Sequence, residues 1–182
     1  MPITESGITL NFPDNNYFRF ENCKGYRDIQ DNFKEMDVCW YDQRNDTLYL
    51  IELKNWGNNR LSEETDPAFS PQAIIEMKER ISKKRIIDLV KKSVDSVCMN
   101  MSLILLKPYA ANIQACCPFT ITNATQIVLL SIINWTSSDV TYISSINSEY
   151  KAKFKSYAKL FDIKIYTVLT RDAAMRQYDW IS

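Results

Sequence analysis

The clearest pattern in the chain is a pair of apolar runs split by a polar turn. Residues Met36–Tyr41 and Thr47–Leu53 are rich in Val, Trp, Tyr, Leu and Ile, the types that pack on a pleated surface. Asp42-Gln43-Arg44-Asn45-Asp46 between them is strong turn chemistry, so the two runs read as a β-hairpin with a five-residue loop. Upstream, Ile8–Phe12 and Tyr17–Phe20 each read as a short strand or a turn of helix. Downstream, Asn55–Phe69 is polar, carries Gly57, Asn58, Asn59, Asp66 and Pro67, and reads as a loop. Ser70-Pro71 then gives an N-cap with proline at the first helical position. Ile74, Met77, Ile81, Leu89, Val90, Val94, Val97 and Met101 follow near helical spacing. This stripe ends before Pro108 and fits either one long helix or two.

Ala110–Thr125 reads as irregular or as a short helix and loop. Gln126–Asn134 is a continuous apolar run of the kind that forms a buried central strand. Ser144–Phe161 is amphipathic through Ile146, Tyr150, Phe154 and Tyr157, and Lys164–Leu169 reads as a last strand. A strand–helix–strand order requires a crossover and a parallel pair. The predicted fold is therefore α/β: a mixed central β-sheet, hairpin plus parallel strands, flanked by helices in a single domain over residues 1–182.

Composition narrows the chemistry. Hydrophobic residues make up 46% of the 182 and aromatics 12%, an ordinary globular balance. Three glycines and no phosphate-loop or dinucleotide pattern argue against those nucleotide folds. Histidine is absent, which removes imidazole-based triads and acid–base chemistry. Five cysteines without a Cys-x-x-Cys pair do not suit zinc or an iron–sulfur cluster. With no signal pattern and no run of membrane-spanning length, the expectation is a cytoplasmic protein whose thiols are mostly core filler and which has no membrane partner.

Side chains alternate along a strand, so Glu52 and Lys54 share one face, roughly 6–7 Å apart. Tyr49, Ile51 and Leu53 take the other face. A hairpin turn centred on residue 44 or 45 sets Asp37 opposite residues 51–53, within reach of the same metal ion as Glu52. Magnesium favours one or two carboxylates with waters and other oxygens, and the Leu53 carbonyl is a natural extra ligand. Lys54 beside the ion would orient the attacking water and offset charge in the transition state.

Asp37 followed fifteen residues later by Glu52-Leu53-Lys54 resembles the PD-(D/E)XK motif of the restriction-endonuclease-like nuclease superfamily. Met36 stands where the usual proline would be. The resemblance spans residues 17 to 170 and implies a core of helix, three-strand meander, helix and strand. It implies a Mg²⁺- or Mn²⁺-dependent nuclease, DNA favoured over RNA, in defence, restriction or DNA processing. It also implies a third acid before the hairpin, for which Glu21 is the candidate with Asp28 and Glu35 as alternatives, and a helix glutamine, matched by Gln72. The alternative on the same fold is a catalytically inactive nucleic-acid-binding or assembly subunit.

Net charge is zero, so any nucleic-acid surface has to be local. From Lys78 to Lys92 the helix carries Lys78, Arg80, Lys83, Lys84, Arg85, Lys91 and Lys92 against Glu79 and Asp88. Lys78, Lys83, Lys84 and Arg85 are the candidates for phosphate contacts. Trp56 and Arg60, just past the motif lysine, are candidates for a groove or a displaced base. Double-strand cleavage would call for a homodimer or larger complex.

Overall fold

The computed structural model of the chain describes residues 2–56, 70–122, 125–135 and 140–182. The elements, in order, are β1 (Ile3–Glu5), β2 (Ile8–Leu10), β3 (Tyr17–Phe18), a 3-10 turn (Phe20–Asn22), α1 (Lys24–Arg27), β4 (Val38–Asp42) and β5 (Thr47–Asn55). Then come α2 (Pro71–Ile104), a 3-10 turn (Pro108–Ala110), α3 (Ala111–Gln114), β6 (Gln126–Asn134), α4 (Val140–Leu160), β7 (Ile165–Thr170) and α5 (Arg171–Gln177).

Five strands form one mixed sheet in the order β3-β4-β5-β6-β7. The predicted hairpin is present, with Val38 opposite Ile51 and Asp42 opposite Thr47. Its turn closes on Asp42, whose carboxylate accepts from the Arg44 amide and the Asn45 side chain. β5, β6 and β7 run parallel, linked by α2 and α4 as the apolar pattern requires. Sequence-predicted β6 matches the observed strand. α4 begins at Val140 rather than at Ser144, and α5 was not anticipated. The polar stretch read as a loop lies, beyond Trp56, outside the described residues until Ser70.

α2 is one helix of 34 residues. Among its described side chains the buried ones are Ile86, Leu89, Ser93, Ser96, Val97, Met99, Asn100 and Leu103. The apolar pattern predicts a stripe that includes Val90, Val94 and Met101, which are only half-buried. The difference has a physical reason: Ser93, Ser96 and Asn100 face inward because each has a partner there. Ser93 bonds the Tyr150 hydroxyl at 2.8 Å, Ser96 Oγ accepts from the Met36 amide at 2.8 Å, and Asn100 Nδ2 donates to the Ser96 carbonyl. Such bonds offset the burial of the two hydroxyls and the Asn100 amide nitrogen, while Asn100 Oδ1 has no partner.

Alternation along β5 divides the core between the two faces of the sheet. Leu48 and Leu50 pack with α2 and α4, against Ile86, Leu89, Tyr150 and Phe154. Ile51 and Leu53 pack on the opposite face with Ile8, Leu10, Trp40 and Trp180. That second face is covered by the β1–β2 hairpin and the C-terminal residues, tied by Thr9–Ser182 and Asn11–Trp180 backbone bonds. The β1–β2 turn, Ser6-Gly7, has positive φ at both residues (56° and 74°), as a two-residue hairpin demands. Gly7 also lies so close to Asn134 that an added Cβ would meet Nδ2 at 2.5 Å.

Cys23 and Cys116 form a disulfide, Cα atoms 5.6 Å apart, that joins the start of α1 to the segment after α3. The expectation of unpaired thiols fails for these two and holds for Cys39, Cys98 and Cys117. Among the described residues no α-helix precedes the β3-β4-β5 meander; the short helical turns fall after β3 instead. No described helix is long and apolar enough to cross a membrane.

Candidate functional site

Glu52 is the central residue. It lies on the α2-facing side of β5 and is wholly buried, because α2 covers that side of the strand. Its Oε1 takes Lys54 Nζ at 2.5 Å and Lys92 Nζ at 2.8 Å, while Oε2 has no hydrogen-bond partner. Burial and then the Asp37 charge push its carboxyl up from 4.5 to about 7, against the opposing pull of Lys92 and Lys54.

Asp37 is one step beyond the β4–β5 ladder, where the register sets it opposite Glu52. One carboxylate oxygen accepts from the Leu53 amide at 2.7 Å; the other lies 3.8 Å from Lys92 Nζ. Its position is fixed from both sides. Lys91 Nζ donates to the Asn32 carbonyl, Asp95 accepts from the Lys34 amide and Ser96 accepts from the Met36 amide, so one face of α2 holds the chain that leads into Asp37. On the other side Arg19 Nε donates to the Asp37 carbonyl at 2.9 Å.

In an extended strand a residue's N–H and C=O leave on the same edge. The Leu53 carbonyl therefore lies on the edge where its amide meets Asp37, and it accepts from Ser6 Oγ at 3.2 Å. The hairpin thus brings Asp37, Glu52, Leu53 and Lys54 together, as the sequence spacing indicated.

Lys92 is the residue that sequence reasoning did not assign to the site. The charge pattern puts it on an outward basic face, yet its side chain is only 15% exposed and its ammonium stands between the acids. Burial alone would push that ammonium down, but Glu52 and then Asp37 hold it above its ordinary value. The signal was present in the inward polar stripe Ser93, Ser96 and Asn100, which marks this side of the helix as facing polar partners.

The other candidates fall elsewhere. Glu21 sits in the 3-10 turn, half-exposed, and pairs with Arg19 Nη1 at 3.1 Å; Arg19 also pairs with Glu5. Among the described contacts, Arg19 is what links it to Asp37, through the Asp37 carbonyl. Of its alternatives, Glu35 accepts from the Tyr26 hydroxyl and Asp28 lies 3.4 Å from the Tyr109 hydroxyl. Gln72 is exposed and donates to Glu76. Between residues 72 and 92 an α-helix rises about 30 Å, so Gln72 is not at the acid pair.

Lys83 and Lys84 are exposed on α2, Arg60 lies outside the described residues, and only the backbone of Lys78 is described. Lys91 is engaged with Asn32 and Asp95, so the outward basic face is smaller than the sequence implied. Arg85 lies 4.5 Å over the half-buried Trp56 ring and donates to the Tyr142 hydroxyl at 2.9 Å. Tyr142 in turn stacks on Trp135. This cluster lies two helical turns, about 10 Å, from Lys92.

Among the described residues no group of three or more His, Cys, Asp or Glu gathers as a metal cluster. The oxygen set is two carboxylates and a carbonyl, which suits a hard divalent ion that keeps several waters. The unpartnered Glu52 Oε2 beside Asp37 is consistent with such a ligand. Compared with known proteins, the chain matches no family model, no curated protein and no solved structure.

Proposed function

We propose that the chain is a metal-dependent phosphodiesterase of the PD-(D/E)XK type, acting on nucleic acid with DNA favoured. The observation that carries this reading is Glu52: a carboxylate at zero exposure, one oxygen unpartnered, directly across the ladder from Asp37. An orphaned buried carboxylate oxygen is costly, and a bound cation would remove that cost. The antiparallel meander followed by α2 and the parallel strand β6 agrees with the order that the resemblance implies, apart from the leading helix.

Asp37, Glu52 and the Leu53 carbonyl would hold Mg²⁺ or Mn²⁺. The bound ion would polarise the phosphate and lower the pKa of a water. Lys54, at the solvent side of Glu52 with 29% exposure, is placed to orient that water and to offset developing charge. Lys83, Lys84 and Arg85 line the same helix as Lys92 and supply a short cationic track for the phosphate backbone, with Trp56 beside them.

The test is cleavage of circular duplex DNA, single-stranded DNA and RNA in Mg²⁺ or Mn²⁺ by wild type, Asp37→Asn, Glu52→Gln and Lys54→Met. Loss of a wild-type activity in all three folded variants supports the reading; equal cutting by all four proteins overturns it. A second reading, a non-catalytic nucleic-acid-binding subunit, is favoured by one specific observation. Two ammoniums already neutralise the acids. Nucleic-acid binding by wild type with no turnover in either metal would decide for it.

A further inference from the structure

Four charged groups meet where β4, β5 and α2 converge. With Glu52 ionised, Asp37 and Glu52 contribute two negative charges and Lys54 and Lys92 two positive, so the cluster is neutral. The two lysines are not equivalent. Lys54 contacts Glu52 and is the more exposed of the pair. Lys92 reaches both acids, 2.8 Å from Glu52 Oε1 and 3.8 Å from Asp37 Oδ1, and so lies in the position that a cation bridging these carboxylates would take.

A divalent ion added without any other change would leave the buried cluster with a net charge of +2. Like charges at short range in a poorly screened interior repel strongly, so one ammonium has to move. Lys92 is the one whose position coincides with the bridging site. Its long flexible side chain can swing along α2 without moving the helix, whereas the Asp37 chain beside it is held by Lys91, Asp95 and Ser96.

Resting on the metal-site reading above, we propose that Lys92 is a built-in competitor for the divalent ion. Its ammonium bridges Asp37 and Glu52, holds the two carboxylates in place, and leaves that position when the ion enters. Metal alone therefore binds weakly. The released ammonium remains within a side-chain length of the ion and is free to meet an anionic ligand that arrives with it. Lys92 is a positioning residue by this account, distinct from Lys54.

The experiment is Mn²⁺ binding without nucleic acid, followed by the electron paramagnetic resonance signal of free Mn²⁺. The proteins are wild type, Lys92→Met, Lys92→Arg and Glu52→Gln, each checked for folding by circular dichroism. Lys92→Met is expected to bind Mn²⁺ about ten-fold more tightly than wild type, within the usual range of coupling between sites. Lys92→Arg, which keeps the charge, is expected to gain nothing, and Glu52→Gln to lose binding. Equal or weaker binding by Lys92→Met, with Glu52→Gln still abolishing it, overturns the competitor while leaving the metal site standing. Absence of Mn²⁺ binding in both wild type and Lys92→Met overturns the metal site itself.

A measurement on wild type alone covers the case in which Lys92→Met does not fold. Amine labelling read by peptide mass spectrometry should show Lys92 becoming several-fold more reactive on adding Mg²⁺, with Lys91 unchanged. Unchanged labelling of Lys92 at saturating Mg²⁺ overturns the proposal.

Discussion

Burial of Glu52 has a consequence for stability that can be measured without knowing the substrate. In metal-free protein its carboxyl is pushed up from 4.5 to about 7, first by burial and next by Asp37. The unfolded chain releases this proton near 4.5, while the folded chain keeps it until about 7. Folding thus takes up a proton between those values. The stabilisation is fully present below 4.5 and is lost as pH rises through 7. The full span of about 2.5 pK units corresponds to about 3 kcal/mol, of which about 2 to 3 kcal/mol falls between pH 5 and 8. For a chain of this size that is a fall in Tm of roughly 5–10 °C.

The pH window is unusually clean, because the chain has no histidine. Lys92, held above its ordinary value, stays charged throughout, and the resolved thiol and tyrosine shifts are all upward, away from the window. Urea unfolding in EDTA at half-unit steps from pH 5 to 8 measures the slope. Wild type should lose stability across the range, whereas Glu52→Gln, which has no proton to release, should be flat within about 0.5 kcal/mol. A flat or rising wild-type curve, or the same fall in Glu52→Gln, would refute the buried-carboxylate reasoning.

The remaining predictions concern the parts that hold the site. Ser96→Ala removes the acceptor for the buried Met36 amide and should cost about 1–3 kcal/mol in urea unfolding; an unchanged midpoint would mean that water replaces the hydroxyl. Gly7→Ala places a Cβ at φ +74° and 2.5 Å from Asn134 Nδ2. It should destabilise by about 1–3 kcal/mol, while Thr4→Ala on the exposed side of β1 serves as a near-neutral control. Reducing the Cys23–Cys116 disulfide, which spans 93 residues, should lower stability by about 2–4 kcal/mol. A Cys23→Ser variant insensitive to reductant confirms the pairing, and equal sensitivity of both proteins rejects it. Arg85→Ala should weaken single-stranded DNA binding and reduce its salt slope by about one charge; an unchanged slope in fluorescence anisotropy would place the phosphate track elsewhere.

What could be read from the sequence was what depends on local period and register. The hairpin, β6 and β7 emerged from apolar runs bounded by turn residues. Once the hairpin register was set, Asp37 opposite Glu52 followed from strand geometry alone. Two kinds of feature escaped. The β1–β2 hairpin is built from three-residue strands, too short for periodicity to establish; Ile8–Phe12 reads equally as a strand or a turn of helix, and β1 has no signal beyond Ser6-Gly7 between two Ile-Thr pairs. Lys92 escaped because a lysine on a charge-rich helix reads as solvated surface, and the partners that turn it inward lie 40 and 55 positions earlier in the chain. Long-range electrostatic pairing leaves no local pattern.

The same distinction explains why apolar periodicity does not locate the inward face of α2. Apolar periodicity assumes that a buried helix face is apolar, and over Ile86–Leu103 it is not. Ser93, Ser96 and Asn100 occupy the buried stripe at spacings of three and four residues; both serine hydroxyls and the Asn100 amide nitrogen are bonded to another element or an earlier turn, while Asn100 Oδ1 is left without a partner. Their burial is what frees this face of α2 to do more than pack. It bonds the chain entering Asp37 through Ser96, and with Lys92 one turn away it sets a cation against the acid pair. A leucine at position 96 would suit the apolar pattern better, yet it would leave the Met36 amide without its partner and Asp37 without its fixed approach. The polar interruption in the stripe is therefore the feature through which helix packing and the acid pair depend on each other.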